Sequence, residues 1–139
     1  MRASATFRDL SFVPTPVTPE PAISTALPVG VSLMEKRYEG AIEGRSATVF
    51  TAAFDQATGV GSYLAMESFE GSVDGRHGTF NFMHTASTSG ADRVDEFFRI
   101  VASSGTGDLF GITGGGGMTI DADNVHRVWF DYELPSPAA

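Results

Sequence analysis

The sequence has no cysteine at all. Disulfides, thiolate nucleophiles and cysteine-based zinc sites are therefore excluded. Lysine is almost absent. Lys36 stands alone among 9 basic residues, set against 17 acidic ones, for a net charge of −8. Nucleic-acid binding needs clustered cations to neutralise phosphates, so this balance argues against it. The same deficit argues against docking on anionic membrane surfaces. No apolar run approaches the roughly 18 residues that a membrane helix needs. The opening MRASATFRDL lacks the continuous apolar stretch of a signal peptide. The expectation is a soluble, cytoplasmic protein.

What is present fits one all-β domain. The 139 residues are 42% hydrophobic, enough for a core and against global disorder. Segments that alternate apolar and polar residues follow one another, separated by turn signals. Ala3–Val13 reads as a first strand, with Ala5, Phe7 and then Ser11 or Val13 on one side. Pro14 to Pro28 is rich in proline, which lacks the N–H of a strand ladder, so 14–28 reads as a surface loop or arm. Val31–Ile42 places Val31 and Leu33 on one side, Met34 and Tyr38 on the other, with a turn at Gly44 before Ala47–Phe54. Glu35, Arg37 and Glu39 read as salt-bridged surface.

Gly61–Val73 and Thr79–Thr85, joined through Asp74-Gly75, form the clearest hairpin. Tyr63, Ala65, Glu67, Phe69 and Val73 share one face of its first strand; Phe80, Phe82 and His84 share one face of its second. Ala91–Val101 fits helical spacing through Val94, Phe97, Phe98 and Val101. It also fits a strand through Val94, Glu96, Phe98 and Ile100, and its β-branched and aromatic content tilts it to strand. Met118–Ala122 and Val125–Leu134 close the set. The architecture expected is a single closed antiparallel β-barrel of about eight strands, whose interior holds side chains or one small ligand.

The glycine-rich stretch Ser103–Gly117 reads as a structural corner. Leu109 and either Phe110 or Ile112 pack inward, and a bulge at Gly114 precedes the next strand. It is not a Walker loop, because no lysine ends it, nor a dinucleotide fingerprint, because no helix follows. The three histidines, His77, His84 and His126, lack metal-site spacing, and Asp121–Asn124 lacks the glycine and distal glutamate of a calcium loop. No GxSxG elbow supports serine catalysis. No metal or cofactor is expected.

Several segments together resemble a known pattern. They are Tyr38-Glu39-Gly40 with Ile42-Glu43-Gly44, Asp74-Gly75-Arg76-His77-Gly78-Thr79-Phe80 with His84, Ser104-Gly105-Thr106-Gly107 running to Gly114, and the closing Trp129–Leu134. In this order they resemble the uncharacterised bacterial DUF3224 family, from which Pro14–Pro28 departs. The resemblance implies a β-barrel similar to that of plant allene oxide cyclases and dirigent proteins, and strand for Ala91–Val101. It implies no activity.

Two functional expectations follow. With 11 phenylalanines, an aromatic-lined barrel favours a small, mainly apolar ligand held by Tyr63, Phe69, Phe80, Phe82, Phe98 and Tyr132. Alternatively Glu67 and His84, each among apolar neighbours on adjacent strands, work as an acid–base pair of an isomerase or cyclase. The bland alternatives are a buried structural hydrogen bond, or a purely structural barrel that oligomerises through its exposed apolar residues. A homo-oligomer is expected in either case. Glu96 and Arg99 read as surface, and His77 as solvated.

Overall fold

Strict alternation along a strand lines one face with apolar side chains, and that face has to be covered. In the computed structural model, which describes residues 1–136, the chain covers it by curling the sheet on itself. The strands are β1 (Arg2–Pro14), β2 (Gly30–Gly40), β3 (Ile42–Asp55), β4 (Val60–Val73), β5 (Arg76–Ser89), β6 (Asp92–Ile100), β7 (Thr113–Ile120) and β8 (His126–Glu133). Each pairs antiparallel with the next, and β8 pairs with β1, so the eight strands form a ring. The weakest joint is β6 to β7, where only Arg99 with Gly115 and Ile100 with Gly114 are in register. Ala91–Val101 is thus strand rather than helix over Asp92–Ile100. Among the described residues, no helix is long and apolar enough to cross a membrane.

The Asp74-Gly75 hairpin forms as expected, both residues adopting the positive φ that a two-residue turn demands. Elsewhere the chain departs from the simple reading. Gly44 is not a turn: the chain reverses at Gly40–Ala41, and Gly44 lies inside β3 opposite Gly71 of β4. Both have φ near the extended edge of positive space, +144° and +153°, and a Cβ on either would strike the backbone of the opposing strand. A bulge between Asp9 and Ser11 inserts Leu10 into β1. It flips the pleat, so that Phe12 and Pro14, not Ser11 and Val13, continue the inner side begun by Ala3, Ala5 and Phe7.

The glycine stretch is also only partly a corner. Gly114–Gly117 belong to β7 itself. The missing side chains leave room for the Trp129 indole against Gly117 and the Phe98 ring against Gly116. Before them, residues 101–112 cross one end of the ring and include a single 3-10 turn, Gly107–Leu109. Leu109 and Ile112 are fully buried, whereas Phe110 is exposed. This segment also completes β5 where β6 has ended. The Asn81 N–H donates to Ser104 Oγ at 2.9 Å, and the Thr106 N–H donates to the Thr79 carbonyl at 2.9 Å. The Ser-Gly-Thr-Gly signature is therefore a strand substitute that satisfies an otherwise bare edge. Residues 15–29 form neither helix nor strand and are almost entirely exposed.

Candidate functional site

The interior is layered along the ring axis. One end is closed by Ile42, Val73, Leu109, Ile112 and Tyr132, all at most 1% exposed. The Tyr132 hydroxyl donates to Asp74 Oδ2 at 2.5 Å. Burial first, and then that carboxylate, push this phenol up to about 12. Next comes a layer of rings. Phe82 stacks on Phe98 at 5.2 Å, and Phe130 meets Phe80 and Phe82 edge-on at 5.5 and 5.2 Å. Phe69 and Tyr38 extend the cluster. Of the expected ligand contacts, Phe69, Phe80, Phe82, Phe98 and Tyr132 are thus packed on one another as core.

Glu67 lies beside this layer and is completely buried. Its position follows from the register. Lys36 faces Ser46 across β2 and β3, and Thr48, two residues on, faces Glu67 across β3 and β4. Glu67 accepts hydrogen bonds from Tyr38 Oη at 2.6 Å, Ser46 Oγ at 2.7 Å and Lys36 Nζ at 3.0 Å. Lys36, the only lysine in the chain, also sits 5.1 Å from the centre of the Phe7 ring. Burial, then the Glu67 charge, hold the Tyr38 phenol well above its ordinary value. The carboxylate is completely buried, and three donors fill most of its acceptor positions. The Lys36 partner was missed by sequence reasoning, although its parity with Met34 and Tyr38 was the available signal. Beside this cluster, Thr48 Oγ1 is buried with no hydrogen-bond partner among the described residues.

His84 shares the inner face with Glu67, yet no hydrogen bond joins the two among the described residues. The imidazole has its own partners. Nδ1 lies 3.2 Å from Tyr63 Oη and Nε2 lies 3.3 Å from Glu96 Oε2. Tyr63 lies one inward position further along β4 from Ala65, which faces His84; Glu96 lies one inward position along β6 from Phe98, which also faces His84. Glu96 is exposed, as expected of a surface residue, and its carboxylate reaches His84 from the rim. Arg99 is exposed, over the Phe97 ring. Burial pushes the His84 pKa below its ordinary 6.5, while the Glu96 carboxylate pulls the other way.

Beyond this chain of groups the ring opens. A cavity of about 570 Å³ lies between Phe12, Pro14, Pro28, Phe50, Phe54 and Tyr63 at the end bearing the β3–β4 turn. Phe50 stacks on Tyr63 at 5.2 Å, and Phe12 meets Phe50 edge-on at 5.8 Å. Tyr63 is thus the one expected ligand contact that reaches this cavity. Phe12 and Phe50 were missed, the first because no glycine or proline marks the bulge at Leu10. The other histidines stand apart: His77 is exposed and His126 packs edge-on against Phe7. Asp121–Asn124 form the β7–β8 turn, where Asp121 pairs with Arg127. Among the described residues, no cluster of three or more histidine or acidic side chains could hold a metal ion.

The same architecture has been seen before. A crystal structure of a protein of unknown function from Shewanella oneidensis MR-1, described as a DUF3224 family member, superposes with a TM-score of 0.83. The two chains are 23% identical, and the alignment covers 98% of each. No curated protein matches the chain. The family model described as "protein of unknown function (DUF3224)" matches residues 3–132. With nearly its whole length under that model, the chain belongs to the DUF3224 family.

Proposed function

We propose that the protein binds a small, mainly apolar molecule in the open half of the ring, read as a barrel of the allene oxide cyclase type. The observation that carries this reading is the aromatic cavity between Phe12, Phe50, Phe54 and Tyr63. Its volume of about 570 Å³ falls in the range of small-molecule sites, roughly 300–1,000 Å³. An isomerase or cyclase built on Glu67 and His84 gains no support, because the two are held by separate partners and Glu67 is sealed off. The test uses N-phenyl-1-naphthylamine, a neutral probe that fluoresces in apolar surroundings. Saturable one-site uptake is expected, weakened by Phe50→Ala and not by the exposed Phe110→Ala. Absence of uptake by the folded protein refutes the reading.

A second reading concerns self-association. On the outer face, Leu33, Val49, Met66 and Met83 lie directly opposite one another across β2, β3, β4 and β5. Leu33, Val49 and Met66 are each more than two-fifths exposed. A continuous apolar row on a sheet face favours a homo-oligomer. Sedimentation should then show an assembly that Val49→Lys dissociates; a monomer at high concentration rejects it.

A further inference from the structure

We propose that the cavity selects ligands that carry a hydrogen-bond donor, a phenol or alcohol on an apolar ring, and that Glu96 sets this preference through the tautomer of His84. The proposal rests on the cavity being a ligand site.

An ionised carboxylate only accepts hydrogen bonds, so Glu96 at 3.3 Å requires a hydrogen on His84 Nε2. A buried neutral imidazole carries a single N–H, which leaves Nδ1 bare. The bare nitrogen accepts from the Tyr63 hydroxyl at 3.2 Å. Burial raises the Tyr63 phenol above its ordinary value, so its proton stays on and is committed to His84. What Tyr63 offers to the cavity is then the remaining lone pair of its oxygen, an acceptor.

The surrounding charges agree. His84 is faced by Glu96 and Arg93 from β6, Tyr63 from β4 and Lys36 from β2; Glu67, on β4, is held by its own partners. A ligand hydroxyl suits Tyr63, which lines the cavity: it donates to the remaining lone pair of the phenol oxygen. An ether or a ketone brings no proton for Tyr63.

Probes of one shape separate the possibilities: 2-naphthol, 2-methoxynaphthalene, 2-acetonaphthone and 2-naphthoate, titrated at neutral pH. Wild-type protein is expected to bind the naphthol about 5-fold more tightly than the ether or ketone, the worth of one net hydrogen bond. Tyr63→Phe should abolish that gap. Glu96→Lys puts a donor against Nε2, turns the hydrogen onto Nδ1 and frees the Tyr63 proton. The ether and ketone should then rise to at least the naphthol's affinity. Circular dichroism checks that each variant is folded, and imidazole nitrogen NMR of the wild type needs no variant at all. A protonated Nε2 with a bare Nδ1 is expected; the opposite tautomer overturns the proposal. Equal binding of all probes, or naphthoate binding most tightly, overturns it while leaving the cavity a ligand site. Failure of every probe to bind overturns both.

Discussion

Two buried polar clusters share one inner face and differ in how their hydrogen bonds end. Around Glu67 they end in the protein: Tyr38, Ser46 and Lys36 surround the carboxylate, and nothing projects beyond them. Around His84 they run through, from Glu96 at the rim to Tyr63 at the cavity. The first arrangement holds strands β2, β3 and β4 in one geometry. The second transmits a choice of proton position to a surface that a ligand can touch. A buried charge is therefore a poor guide to function by itself, and the informative feature is an unsatisfied lone pair at the end of a chain.

The largest effect should come from breaking the closed cluster. Lys36→Met leaves a buried carboxylate without its cation and should cost about 3–5 kcal/mol in urea unfolding. Combining it with Glu67→Leu should recover most of that loss, since a matched apolar pair removes both charges. If the double variant is no more stable than the single one, the cluster is not the self-contained unit described. Next comes packing. Phe82→Ala, in the fully buried ring layer, should cost about 3–5 kcal/mol. Phe50→Ala, at the half-open cavity wall, should cost clearly less while reducing probe uptake; equal losses would erase the distinction between the two halves.

A smaller effect tests His84 by pH. Burial holds its folded pKa below the ordinary 6.5, so the unfolded chain takes up a proton first as pH falls. The stability from the buried neutral ring is complete above 6.5 and declines from there down to the depressed folded value. His84→Gln should flatten the slope of unfolding free energy in that window, read as the difference from wild type. The smallest effect is expected at the exposed Arg2–Asp131 pair, where Arg2→Ala should scarcely move the unfolding midpoint.

Much of this was legible in the amino-acid order. Asp74-Gly75 announces its turn, and the parity of Glu67 with Phe69 and of His84 with Phe82 places both inside the ring. Parity alone could not say who would meet whom. Glu67 and His84 are close in register, yet Ser46 on β3 and Lys36 from β2 claim one, and Tyr63 on β4 and Glu96 on β6 claim the other, because each carries a polar group that reaches diagonally across the inner face. Leu10 disturbs parity without any turn residue to mark it, which hid Phe12 from the cavity wall. The glycines at 115–117 misled for the opposite reason: they mark close approach of Trp129 and Phe98 rather than a bend.

The burial of Lys36 has a practical side. The chain's sole lysine side chain is only 7% accessible in its pair with Glu67. Acylating reagents and lysine-specific proteases should therefore find that amine only when β2 detaches from the ring. The rate at which Lys36 becomes modified or cut is thus a built-in clock for the opening of the molecule.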